Sequence, residues 1–266
     1  MKKQPIGVFD SGLGGLTILK ALRRTLPQED LIYFGDTANV PYGSKSKEAV
    51  TRFSTAIAQF LQTQHVKMIV VACNTASALA LPTLRKICKV PVLGVILPGA
   101  QKAAALTRNG RVAILGTEAT VRSKAYPKAL LKINPRLHTF QQPCPLFVPL
   151  VEENLSRTPL AEAAVQLYLA PVLRAKADTV ILGCTHYPVL KKLLTKALGP
   201  QAQLVDSADT LAQTVSDFLH SHHLCVTQGK GKLTVYASDD PTRFKRLAVR
   251  ILGKPIGKVR LQKLNV

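Results

Sequence analysis

Ile69-Val70-Val71-Ala72-Cys73-Asn74-Thr75 and Val180-Ile181-Leu182-Gly183-Cys184-Thr185-His186 read like copies of each other. Each is an apolar run that closes on a small residue, a cysteine and small polar residues, and each precedes a segment with helical spacing. An apolar run of this kind is what a strand buried on both faces of a parallel sheet requires. In open α/β sheets the C-terminal ends of such strands are where ligands bind. The cysteines stand 111 residues apart, close to half of the chain. The expected fold class is therefore α/β, with two pseudo-symmetric three-layer domains, mostly parallel sheets, and the active site in the cleft between them.

Strand and helix signals alternate along the rest of the chain, as such a fold demands. Strands are expected at Ile6–Phe9, Leu31–Gly35, Met68–Ala72, Val92–Val95, Arg111–Leu115, Leu137–Phe140, Thr179–Leu182, Gln203–Asp206 and Leu233–Ala237. Helical spacing marks Leu13–Leu26, Lys47–Gln64, Thr75–Ile87, Ala100–Leu106, Val121–Lys132, Pro188–Leu198, Leu211–Leu219 and Pro241–Leu252. A helix over Ala161–Ala175 is expected to break or kink at Pro171, and Pro127 puts one turn of its own helix in question. Cys144–Glu153 reads as a loop or short helix. Residues 1–96 with 209–266 are expected to form the first domain, the C-terminal strand and helix returning to it, and residues 97–208 the second.

Composition narrows the function classes. With 47% hydrophobic residues over 266 positions the chain can bury a real core. No apolar stretch approaches the length of roughly 18 residues that a membrane span needs, and no signal-peptide core follows Lys2 and Lys3, so a cytoplasmic protein is expected. Cys73, Cys88, Cys144, Cys184 and Cys225 are odd in number and lack paired spacing, which argues against a disulfide framework or a structural zinc site. The net charge of +21 is dispersed, without a basic arm or an aromatic platform. It fits a generally basic surface or the steering of an anionic substrate, with nucleic-acid binding as a secondary partner.

Gly12-Leu13-Gly14-Gly15-Leu16-Thr17 resembles a dinucleotide loop, with Asp36 near where a ribose-binding acid would stand, but Thr17 occupies the third glycine position. A nicotinamide enzyme is disfavoured, and the glycines are read as allowing a tight turn and close ligand approach. Cys88, Cys144 and Cys225 read as structural. Cys73 and Cys184 differ, because a thiol at a strand end ahead of a helix N-terminus is expected to have its pKa lowered. Two such thiols on opposite faces of one carbon could remove a proton and return one, inverting the stereocentre. Asp10 stands where it could orient or accept a proton from Cys73, and His186 lies two residues from Cys184. Ser11, Asn74, Thr75, Thr117 and Thr185 offer neutral hydrogen bonds to a carboxylate or ammonium group, and Tyr42-Gly43-Ser44 reads as a mobile loop over the cleft.

At these residues the chain resembles the glutamate racemases, cofactor-independent enzymes that supply D-glutamate for bacterial peptidoglycan. The likeness covers nearly the whole chain. It includes Val8-Phe9-Asp10-Ser11-Gly12-Leu13-Gly14-Gly15, Tyr33-Phe34-Gly35-Asp36-Thr37, Pro41-Tyr42-Gly43, Ala72-Cys73-Asn74-Thr75-Ala76, Leu146 to Glu153, Gly183-Cys184-Thr185-His186-Tyr187-Pro188 and Asp239-Asp240-Pro241-Thr242-Arg243-Phe244. The resemblance implies Cys73 as the base toward D-glutamate and Cys184 toward L-glutamate, with Asp10 as partner of Cys73, and His186 and Glu152 as partners of Cys184. It implies substrate contacts at Asp10, Ser11, Tyr42, Gly43, Asn74, Thr75, Thr117, Thr185 and His186, no metal, no cofactor, and a homodimer. A racemase for aspartate or another amino acid on the same scaffold is the nearest alternative. A topoisomerase-regulating or nucleic-acid-binding protein is the alternative of another class. Leu97, where relatives often carry glutamate, and Asn154, where glycine is common, depart from the pattern.

Overall fold

A computed structural model describes residues 2–265. The first part of the chain runs β1 (Ile6–Asp10), α1 (Leu16–Thr25), β2 (Leu31–Gly35), α2 (Lys47–Thr63), β3 (Met68–Val71), α3 (Asn74–Leu79), α4 (Leu81–Ile87) and β4 (Val92–Gly94). After α5 (Ile96–Leu106) come β5 (Arg111–Gly116), α6 (Glu118–Ser123), α7 (Ala125–Ile133), β6 (His138–Pro143), α8 (Phe147–Glu152), α9 (Pro159–Arg174), β7 (Thr179–Gly183), α10 (Lys191–Leu198) and β8 (Gln203–Asp206). The chain closes with α11 (Ser207–Ser221), β9 (Leu233–Ala237), α12 (Pro241–Leu252) and β10 (Val259–Leu261). No helix among the described residues is long and apolar enough to cross a membrane.

Two parallel sheets result, one of six strands in the order β10-β9-β2-β1-β3-β4 and one of four in the order β6-β5-β7-β8. β9 pairs with β2 and β10 with β9, so the end of the chain closes onto the first sheet. The two cysteine-bearing runs are central strands, buried on both faces, which is why they are apolar without alternation. β1 lies beside β3 and β5 beside β7 in register. Asp10 and Ser11 therefore end next to Cys73 in one sheet, and Thr117 ends next to Cys184 in the other.

The outer faces carry separate cores. Phe53, Ile57 and Leu61 of α2 cover the first sheet, and Val165, Leu169 and Val172 of α9 cover the second. Between the sheets a single apolar cluster runs through Leu16, Leu19 and Leu22 of α1, Ala100 and Ala103 of α5, and Leu211, Val215 and Leu219 of α11. Burial of this shared layer resists separation of the two halves.

Several helix expectations are corrected. Thr75–Ile87 is two helices meeting at Ala80, because Pro82 lies in the first turn of α4, where its missing N–H costs nothing. Val121–Lys132 also divides, at Lys124 (φ 55°) rather than at Pro127, which falls in the first turn of α7. α9 continues through Pro171, whose absent bond would have gone to Leu167, on the solvent-facing side of the helix at 64% exposure. α5 begins at Ile96 and contains Pro98 and Gly99. Cys88, read as structural, is half-buried. The strand Val259–Leu261 was not expected, and it is largely exposed. Asn154, at φ 61°, occupies a left-handed position, so asparagine replaces glycine there without changing the backbone.

Candidate active site

Cys73 ends β3 and serves as the N-cap of α3, its sulfur accepting the Ala76 N–H at 3.5 Å and lying 3.7 Å from Ser11 Oγ. The dipole argument for a lowered thiol fails here. Burial, and after it the negative charge of Asp10, push Cys73 up to about 12, outweighing the Ala76 N–H and Ser11. The resting group is therefore the protonated thiol. Asp10 is itself raised by burial. It accepts hydrogen bonds from Gly12 N–H at 3.0 Å and Thr185 Oγ at 3.3 Å, so it acts on Cys73 by charge and not through a direct hydrogen bond.

Cys184 is set differently. No α-helix begins behind it, because Tyr187–Leu190 is a 3-10 turn and α10 starts at Lys191. A histidine takes the place of the helix N-terminus. His186 Nδ1 lies 3.8 Å from the Cys184 sulfur, and its Nε2 lies 3.0 Å from Glu152 Oε1. Burial alone would strip His186 of its proton, but hydrogen bonds with Cys184 and Glu152 outweigh it and raise the imidazole to about 10. The pseudo-symmetry of the strands thus carries two unlike thiol environments.

Both cysteines line one cavity of about 270 Å³. Ser11, Asn74, Thr75, Thr117, Thr185, His186 and Glu152 line it too, as do Tyr42 and Gly43, and no lysine or arginine does. Asp10 is buried behind this lining. Tyr42 donates its hydroxyl proton to Asp36 at 2.5 Å, and Ser238 and Asn39 also donate to Asp36, which anchors one end of the 3-10 turn Tyr42–Ser44 at the cavity. Gly43 admits this loop against Thr117, since a Cβ there would lie 2.7 Å from the Thr117 Cβ.

The two halves meet through the same residues. Thr75 and Thr117 share a hydroxyl bond at 2.9 Å, and Tyr126 donates to Asn74 Oδ1 at 2.7 Å. A Cβ on Gly14 would fall 2.2 Å from Thr185 Oγ and 2.6 Å from His186 Nδ1. That glycine, read from sequence as room for a ligand, is room for the loop of the second sheet. Sequence reading missed Tyr126, and also Phe147 and Tyr187, fully buried residues whose ring centroids lie 5.1 Å apart. A buried aromatic gives no local signal that distinguishes a site support from core.

The raised groups predict a stability profile. Folded His186 keeps its proton to about pH 10, whereas the unfolded residue loses it near 6.5. Its contribution is complete below pH 6.5 and lost as pH rises through 10, at most about 1.4 kcal/mol per pH unit for one proton. Cys73 continues the loss from pH 9 toward 12. Urea midpoints at pH 6.5, 8 and 10 should fall, and His186→Asn should flatten that fall. An unchanged slope in the variant refutes the assignment.

Two parallel α/β halves thus bring one thiol each, in unlike surroundings, to a single cavity. The chain belongs to the Asp/Glu/hydantoin racemase family, whose model matches residues 7–215. It is an isomerase of that family, and it is similar to glutamate racemases along nearly its whole length. The glutamate racemase of Geobacter metallireducens is 49% identical over 97% of this chain and 96% of that protein. A glutamate racemase isoform from Bacillus anthracis superposes with TM-score 0.95 at 34% identity, covering 100% of this chain and 99% of that one. The Francisella tularensis glutamate racemase, solved in complex with D-glutamate, gives TM-score 0.94 at 36% identity over 99% and 98% of the two chains.

Proposed function

We propose that the protein interconverts L- and D-glutamate without a cofactor, by proton transfer at Cα between Cys184 and Cys73, and that the D-glutamate supplies peptidoglycan synthesis. The observation that carries this reading is the pair of thiols, one from each half, on a single small cavity. With L-glutamate bound, the Cα proton passes to Cys184, which enters the step as a thiolate and leaves it as a thiol, and the electron pair spreads into the α-carboxylate. The Cys73 S–H then delivers its proton to the opposite face, yielding D-glutamate and a Cys73 thiolate. The two sulfurs have exchanged protonation states, so the cycle closes by proton exchange with solvent or by turnover of D-glutamate.

The raised Cys73 supports its part as the acid that waits with its proton. His186 and Glu152 are assigned to hold Cys184, and Asp10 to set the charge behind Cys73. Ser11, Asn74, Thr75, Thr117, Thr185 and the backbone of Tyr42-Gly43 are assigned to the substrate. A cavity lined without lysine or arginine binds the two carboxylates of the glutamate monoanion through neutral donors and His186, while the net charge of +21 draws it in at long range.

The test is incubation of purified protein with L-glutamate, and separately with L-aspartate, in D2O without added cofactor. Loss of optical rotation with deuterium entering Cα of glutamate is expected. Reaction with aspartate alone moves the substrate and keeps the chemistry. Folded, reduced protein that exchanges neither is incompatible with the proposal.

A further inference from the structure

Asn74 sits between the reactive Cys73 and the cleft-lining Thr75, and it is 2% exposed. Its amide is half satisfied. Oδ1 accepts the Tyr126 hydroxyl proton at 2.7 Å, whereas Nδ2 is buried and has no hydrogen-bond partner among the described residues. A buried donor left unpaired is unfavourable until an acceptor arrives, and Asn74 is part of the cavity lining where one would arrive.

Tyr126 belongs to α7, in the other half of the molecule, and is fully buried. Gly99 and Gly183 receive its ring, a Cβ on either coming within 3.3 Å or less of it. Its hydroxyl lies 3.5 Å from Ser207 Oγ. A phenol has one proton to give. Donation to Asn74 leaves Tyr126 as the acceptor toward Ser207, and the chain Ser207 to Tyr126 to Asn74 then runs one way. Burial holds the Tyr126 hydroxyl well above its ordinary range, so it remains a donor throughout the working range of pH.

We infer that Tyr126 is a positioning residue which, by giving its proton to Asn74 Oδ1, locks the amide with its NH2 group reserved for a substrate carboxylate. The inference rests on the glutamate reading and extends it to selectivity. With Oδ1 engaged, Asn74 offers the cleft donors only, which pair with a carboxylate oxygen and oppose the NH2 of a carboxamide. Without the phenol hydroxyl the amide is free to turn, and Oδ1 can then accept from such an NH2 group.

The experiment compares wild type with Tyr126→Phe, which retains the ring, and with Ser207→Ala, which removes the outer hydroxyl of the chain and spares the Tyr126 bond to Asn74. Kinetics are measured with L- and D-glutamate, and inhibition with L-glutamine and L-isoglutamine, whose single amides replace the side-chain and the α-carboxylate respectively. In Tyr126→Phe, KM for both glutamate enantiomers is expected to rise about tenfold, kcat falling less. Its selectivity for glutamate over one of the two amides should shrink by a similar factor. Ser207→Ala leaves the phenol its proton for Asn74 Oδ1, so it should shift selectivity less than Tyr126→Phe does. A uniform weakening toward glutamate and both amides, or no change, overturns the inference. Wild type inactive toward glutamate would instead overturn the reading beneath it. If Tyr126→Phe does not fold, Asn74→Asp decides. It keeps an oxygen for Tyr126 but exchanges the donor for an acceptor, so folded variant that binds glutamate like wild type overturns the inference, and a loss of 100-fold or more supports it.

Discussion

Cys73→Ala and Cys184→Ala should each lose racemisation by a factor on the order of 10³ or more while remaining folded, and they should fail in opposite ways. A positioned acid or base contributes about 10²- to 10⁴-fold, and in the proposed mechanism either deletion also removes one of the two proton carriers that inversion needs. With Cys73 gone, Cys184 still faces one side of Cα, so L-glutamate should take up deuterium slowly with retention. With Cys184 gone, the residual exchange should belong to D-glutamate. The asymmetry follows from the environments: Cys73 is a thiol held up by burial and by Asp10, and Cys184 has the imidazole of His186 3.8 Å away. Proton NMR of each enantiomer in D2O reads both outcomes. Equal washout of the two enantiomers in either variant would contradict the assignment of one thiol to each face.

Lys67→Ala should destabilise the fold by about 3–5 kcal/mol, a large share of the stability of any domain. Lys67 and Glu29 form an ion pair at 2.5 Å with side chains 0% and 1% exposed. All three ammonium protons are used, the other two going to the carbonyls of Lys2 and Leu224. Glu29 Oε1 accepts from Val226 N–H. The pair thereby gathers the N-terminus, the start of β3 and the segment that leads the chain back to β9. Removing the cation abandons a carboxylate in the interior, which is why the cost exceeds the strength of the pair itself. Urea unfolding of Lys67→Ala and of the double variant Glu29→Leu/Lys67→Met should show the double variant recovering most of the loss. A single variant within 1 kcal/mol of wild type would show that water reaches the site.

The elements that could be read in advance share a physical property. β2, β8, β9 and α12 fall at the expected residues because apolar runs, alternation and caps are local, a few residues each. The failures fall where local signals conflict. Pro82, Pro127 and Pro171 look alike as letters, yet the first two occupy first turns, and the third leaves its orphaned carbonyl on the solvent side of α9. The site residues were legible as pieces, since Cys73-Asn74-Thr75 and Cys184-Thr185-His186 stand at strand ends and strand ends are where α/β folds place chemistry.

By itself, then, the sequence determined the α/β class, the central strands, and which small set of side chains stands at their ends. Only the tertiary structure decided what those side chains are. Cys73 is raised and not lowered, because burial and Asp10 outweigh a helix N-terminus of six residues. Gly14 serves the Thr185-His186 loop and not a ligand, Asn74 answers to Tyr126, and Glu29 to Lys67 across 38 residues. The reason is common to all of them. Periodicity records which face of an element meets apolar surroundings, whereas hydrogen-bond partners and desolvation depend on residues brought together from distant parts of the chain, and these leave no pattern along it.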